Sequence, residues 1–178
     1  MGILNIPNTL TMARIVLIPL FVTSVIYSRY DYALFLFFIA ALTDMFDGMI
    51  ARVKSQKTPF GSFLDPMADK FLLMTSFVLF SIYDKVPKWL TIIVISRDII
   101  VVTGWVILYL ITHTAKVEPT LLGKTAITCQ LLLICYILLE INLPSLPDIR
   151  PYVIWITAIF TILSGLHYIY RGLKQTNV

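Results

Sequence analysis

Apolar runs of roughly 20 residues recur along the whole chain, each long enough to cross a hydrocarbon core of about 30 Å as a helix. Polar clusters set their limits. The first run extends from about 10 to 28 and ends at Ser28-Arg29-Tyr30-Asp31. The second covers about 32 to 53 and meets a basic loop, Lys54 to Gly61. A third continues to about Tyr83, where Asp84-Lys85-Val86-Pro87-Lys88 closes it. The fourth spans about 89 to 112, and a longer polar connection, His113 to Lys124, leads into a fifth that ends near Glu140. Asn142 to Pro151 carries three prolines and cannot be a helix interior, because proline has no amide to donate. The sixth run covers about 152 to 170 and ends in Arg171-Gly172-Leu173-Lys174. In lipid each segment must satisfy its own backbone, so the pattern predicts an all-α integral membrane protein with six transmembrane helices.

Composition agrees with that frame. At 58% hydrophobic and 13% charged, no polar block is long enough for a separate soluble domain, so residues 1–178 are expected to form a single membrane domain. Met1 to Leu20 has neither a basic leader nor a small-residue cleavage site, which argues against a removable signal peptide. Residue 6 is Ile where myristoylation needs Ser or Thr. Pro7, Asn8, Thr9 and Thr11 instead form a helix-start cluster.

Orientation follows from the lysines and arginines, which collect on the cytoplasmic side. Arg52, Lys54, Lys57, Lys70, Lys116, Lys124, Arg171 and Lys174 share one side; Arg29, Lys85, Lys88 and Arg150 share the other. The larger set is read as cytoplasmic, with both termini inside. The net charge of +4 is accounted for by such flanks, and no nucleic-acid partner is expected.

The chemistry concentrates between the second and third runs. Asp44, Asp47, Gly48 and Ala51 fall at i, i+3, i+4 and i+7, so on a helix they share a face. Asp65 and Asp69, at i and i+4, share another. A hairpin would bring all four carboxylates together, and four unpaired anions at the edge of lipid are prohibitively costly. Without neighbouring Cys or His, soft-metal sites are disfavoured. Carboxylates alone suit Mg²⁺ or Mn²⁺, whose natural co-ligands are phosphate oxygens. Arg52 one turn beyond Gly48, with Gly48 and Ala51 as a small-residue floor, points to a nucleotide diphosphate. The competing structural reading is a hairpin whose aspartates are neutralised by lysines and arginines.

The stretch Asp44-x2-Asp47-Gly48-x2-Ala51-Arg52-x8-Gly61-x3-Asp65-x3-Asp69 resembles, at every position, the signature of the CDP-alcohol phosphatidyltransferase family. The resemblance implies transfer of the phosphatidyl group of a CDP-linked lipid, usually CDP-diacylglycerol, to an alcohol, with release of CMP. It implies two divalent cations, one held by Asp44, Asp47 and Asp65, the other by Asp44, Asp65 and Asp69, with Asp69 also the general base. It implies a CDP site lined by Gly48, Ala51, Arg52, Gly61 and Thr58. Pro7-Asn8-Thr9-Leu10-Thr11-x2-Arg14 resembles the start of the family's first helix, which places Asn8 and Thr11 beside the nucleotide. Relatives are typically homodimers, which the resemblance carries over as an expectation. The chain itself is expected to be a multi-pass protein of the cell inner membrane, with the aspartates open to the cytosol.

Relatives that use phosphorylated acceptors carry basic residues near Arg97 and Lys124, so the resemblance assigns these two to an acceptor phosphate; Lys70 follows the last aspartate. The bland alternatives are an Arg97–Asp98 pair and an ordinary flanking lysine. Glycerol 3-phosphate is the first choice of acceptor, on the Pro-Asn-x-Leu-Thr start and the compact chain. Phosphatidylglycerol is the rival, on Ile95-Ser96-Arg97-Asp98 and on Glu118 through Lys124. A polyprenyl-type membrane transferase would also use aspartate-bound Mg²⁺, but should lack Gly48-x2-Ala51-Arg52. A channel should spread its acids over several helices.

Other polar and aromatic positions are read as structural. Cys129 and Cys135 are about 9 Å apart in helical rise and cannot pair on one helix. His113 and His167 stand alone. Trp89, Trp155, Tyr27, Tyr30 and Tyr152 suit an interfacial belt, and Ser164-Gly165 permits close helix packing.

Overall fold

The computed structural model describes the backbone at residues 6–54, 59–112 and 120–176, and side chains at 16–43, 70–104, 106–107, 110 and 120–174. Among the described residues six helices run in order: α1 Ile6–Ile26, α2 Tyr30–Lys54, α3 Pro59–Ile82, α4 Lys88–Thr112, α5 Leu121–Asn142 and α6 Arg150–Thr176. The expected runs therefore fold as helices. Several boundaries differ from expectation: α1 begins at Ile6 rather than near 10, α5 at Leu121 within the expected connection, and α6 continues to Thr176. Pro59 to Gly61 belong to α3 rather than to the loop, because proline at the first helical position lacks only an amide that would have no partner there. Pro151 sits in the first turn of α6 for the same reason.

The chain divides into two compact units, and the first comprises 1–79 with Ile137–Leu146. Within it α1 packs on α2. The buried positions are Phe21 and Val25 on α1 and Ala33, Phe37 and Ala40 on α2, spaced at i, i+4 and i+7 as an apolar stripe requires. Phe21 and Phe37 meet with ring centroids 6.0 Å apart and planes tilted by 43°. The last turn of α5 is tied to this unit by Asn142, whose Nδ2 donates to the Tyr30 carbonyl at 3.0 Å.

The second unit comprises 80–136 with 147–178. Here α4 packs on α6. On α6, Ile154 and Ala158 are buried together with three polar residues, Thr157, Thr161 and Ser164, which are fully inaccessible. Their hydroxyls are all engaged. Thr157 donates to the carbonyls of Val153 and Cys129, and Thr161 accepts from Gln130 Nε2 at 3.1 Å. Outward positions of the same helix are apolar, among them Trp155, Ile159, Leu163 and Leu166. Polar groups inside and large apolar groups outside are what lipid, not water, favours. Helix α5 and the segment Arg150–Lys174 are each long and apolar enough to cross a membrane. This is a membrane protein.

Several loop details fix helix ends. Tyr136 Oη donates to the Pro147 carbonyl and accepts from the Ile149 amide, pinning the proline-rich connection to α6. Trp89 and Trp155 stack at 5.3 Å, both exposed, as an interfacial pair would. Cys129 and Cys135 are free thiols.

Helices α1 and α3 end alike. Ser28 and Asp84 adopt positive φ, 56° and 54°. Around Asp84, the Lys85 amide reaches back to the Phe80 carbonyl and the Asp84 amide to that of Ser81; Ser28 shows the same pair with Ser24 and Val25. This is the Schellman ending, in which the left-handed residue is most often glycine. Asp84→Gly is therefore expected to raise stability by about 0.5–1 kcal/mol, read by thermal unfolding in detergent. A lower midpoint would show that the Asp84 side chain makes a stabilising contact.

Candidate active site

Helix α2 carries Asp44, Asp47, Gly48, Ala51 and Arg52, and α3 carries Gly61, Asp65 and Asp69, all in the first unit. Their side chains, and those of Asn8 and Thr11 in the first turns of α1, lie outside the described ones, as does Thr58 altogether. The helix bounds nonetheless constrain the site. Asp44 stands ten residues before the end of α2 at Lys54, and Asp69 ten residues after the start of α3 at Pro59. At 1.5 Å per residue both are roughly 15 Å from their helix ends. Asp47 and Asp65 are seven and six residues from those ends, so roughly 10 Å. The chain between Lys54 and Pro59 can span at most about 18 Å, which sets an upper limit on the distance between these two helix ends. The two carboxylate pairs thus sit at matching distances along their helices.

The donor set fits a hard divalent cation. Four carboxylates from two helices supply oxygen ligands only, and one carboxylate short of neutralisation would be costly in low dielectric.

The second unit holds the basic side chains assigned to an acceptor. Arg97 lies within α4 and is only 5% exposed. Its Nη1 donates to Asp98 Oδ1 at 2.6 Å, so the expected neighbour pair does form. Nε and Nη2 both donate to Ser164 Oγ on α6, at 3.3 and 3.0 Å. The guanidinium carbon lies 5.6 Å from the centroid of the Tyr168 ring, within cation–π range. A buried guanidinium needs such partners, because an unpaired charge there costs several kcal/mol.

Tyr168 connects Arg97 to the start of α5. Its hydroxyl accepts from the Thr120 amide at the long distance of 3.5 Å. Thr120 caps α5: its Oγ1 accepts from the Gly123 amide at 3.0 Å, and its carbonyl from the Lys124 amide at 3.0 Å. Lys124 itself is exposed in that first turn. Contacts thus run from Arg97 through Tyr168 to the first turn of α5, in which Lys124 is exposed. Sequence reasoning singled out Arg97, Lys124 and Ser164-Gly165, but not Tyr168 or the role of Thr120. A tyrosine eleven residues beyond Thr157 on the polar stripe of α6 was the available signal, hidden among many tyrosines.

Residues 4–163 match the CDP-alcohol phosphatidyltransferase family. The chain is 33% identical, over 97% of its length and 99% of the relative's, to the CDP-diacylglycerol–glycerol-3-phosphate 3-phosphatidyltransferase of Bacillus subtilis. It is 36% identical to the protein of the same name in Haemophilus influenzae, over 93% of this chain and 91% of that one. It is also 42% identical, over 73% of its length and 45% of the relative's, to a probable CMP-forming cardiolipin synthase of Drosophila melanogaster.

Two glycines distinguish close packing from mere proximity. A Cβ on Gly123 would lie 2.9 Å from Tyr168 Oη and 3.0 Å from Thr120 Oγ1, whereas one on Gly165 would meet Arg97 Cγ at an ordinary 3.6 Å. Gly123→Ala is expected to lower stability by about 1–3 kcal/mol as overpacking does, while Gly165→Ala stays within about 0.5 kcal/mol or gains. Thermal unfolding of the two variants side by side checks this; equal midpoints would mean Tyr168 is free to yield.

Proposed function

The chain belongs to the CDP-alcohol phosphatidyltransferase family, and from that membership we propose its reaction: the phosphatidyl group of CDP-diacylglycerol moves to glycerol 3-phosphate, releasing CMP. It is a transferase of phospholipid synthesis. The observation that carries the reading is the complete aspartate signature on two consecutive helices of a chain that aligns end to end with relatives of that name.

Asp44, Asp47, Asp65 and Asp69 would hold two divalent cations, Mg²⁺ or Mn²⁺. When bound, these neutralise the diphosphate and stabilise charge developing on it. Arg52 adds its own positive charge on the same face as Gly48 and Ala51, whose small side chains leave room for the nucleotide against the backbone. Gly61, Thr58, Asn8 and Thr11 complete the CDP site. A free alcohol is a weak nucleophile at neutral pH, so Asp69 accepts its proton as the new oxygen–phosphorus bond forms. The phosphoanhydride bond breaks on the opposite side, and CMP leaves with the electron pair. Transfer is direct, with no covalent enzyme intermediate. Arg97 and Lys124 bind the acceptor's phosphate; the guanidinium of Arg97, held within the second unit by Asp98, Ser164 and Tyr168, supports its part in this.

On this reading the protein is a six-span homodimer of the cell inner membrane, one family domain over 1–178, with its termini and site cytoplasmic. Apolar outer faces and the lysine and arginine distribution support this orientation. A second reading has a specific basis: the 42% identity to a probable cardiolipin synthase, with Ile95-Ser96-Arg97-Asp98 similar to that branch, would make phosphatidylglycerol the acceptor.

Purified protein supplied with CDP-diacylglycerol and Mn²⁺ or Mg²⁺ is expected to release CMP with glycerol 3-phosphate and not with phosphatidylglycerol. The reverse would establish the second reading. Asp69→Asn is expected to lower kcat by roughly 10²–10⁴-fold, as loss of a general base does. Turnover at the unaltered rate would remove Asp69 from that role.

A further inference from the structure

Arg97 is held from two directions that are not equivalent. Asp98 is its neighbour on α4 and moves with the same backbone, so that contact cannot fix the guanidinium relative to α6. Ser164 can. It comes from α6, is fully buried, and receives both Nε and Nη2 through one hydroxyl oxygen. Gly165 beside it presents no side chain to the Arg97 stem, and Tyr168 one turn on lies under the guanidinium carbon. Ser164, Gly165 and Tyr168, at i, i+1 and i+4, thus form a seat on one face of α6.

A guanidinium has five N–H donors in a rigid plane. Ser164 and Asp98 use three of them, which leaves two without a partner among the described residues. A phosphate is bound well only when such donors are aimed at its oxygens, because the fork geometry is planar and directional. Resting on the reading that Arg97 binds the acceptor phosphate, we propose that Ser164 is a positioning residue. It sets the plane of the Arg97 guanidinium so that the two remaining donors face the acceptor, and it acts only through Arg97.

A double-mutant cycle on CMP release tests this, with the acceptor that supports turnover varied at saturating CDP-diacylglycerol. The enzymes are wild type, Ser164→Ala, Arg97→Lys and the pair. Ser164→Ala is expected to raise acceptor KM about tenfold, the loss of roughly one hydrogen bond to a charged group, with little change in kcat or donor KM. In the Arg97→Lys background the same change is expected to alter acceptor KM less than about twofold, since coupled residues are not additive. Equal multiplication in both backgrounds would overturn the proposal, as would an acceptor KM unmoved by Ser164→Ala while Arg97→Lys raises it. An acceptor KM unmoved by Arg97→Lys would overturn the acceptor reading itself, and the positioning role with it. Should Ser164→Ala not fold, Ser164→Cys, of similar size and a weak acceptor, is read by the same outcomes.

Discussion

Charge cannot stand unpaired in hydrocarbon, and both chemically active regions of this protein are arranged around that constraint. In the second unit it is met by protein groups: Arg97 is surrounded by Asp98, Ser164 and the Tyr168 ring. In the first unit four aspartates bring negative charge to two consecutive helices, and a hard cation with a diphosphate is the partner they suit. In the proposed reaction, one region would offer a positive group to an anion and the other a set of carboxylates to a cation. An enzyme that joins a nucleotide-linked lipid to a charged acceptor needs both.

The same constraint shapes the packing. The buried stripe of α6 combines Thr157, Thr161 and Ser164 with Ile154 and Ala158, and the outward face is apolar. Without a hydrophobic drive between helices in lipid, small residues and shared hydroxyls carry association. Ser164 serves both purposes at once, holding α4 to α6 and fixing Arg97.

The helices were legible because long apolar runs bounded by polar clusters mark their extent, and α5 and the segment Arg150–Lys174 are long and apolar enough to cross a membrane. The start of α3 was less so: Lys54 to Gly61 looks like a continuous loop by composition, whereas Pro59 is preset for a first helical turn. The aspartate spacing was legible as a helical face, and the helix bounds add the matching distances from the ends of α2 and α3. The Arg97–Asp98 pair could be read from adjacency. Its link to Ser164 could not, since 67 residues separate them and nothing local to either residue encodes the meeting. Tyr168 was missed for the same reason: its contacts with Arg97 and Thr120 exist only once α4, α5 and α6 are assembled.

The central claim is that the aspartates of α2 and α3 together form one site for two divalent cations, which a cytidine diphosphate completes. Mn²⁺ binding to the purified protein, followed by electron paramagnetic resonance with and without CDP, tests it most directly. The account predicts saturable Mn²⁺ binding that tightens with CDP and is lost in Asp44→Asn and in Asp65→Asn alike, because the site needs both helices. Mn²⁺ binding that survives both substitutions unchanged would contradict it.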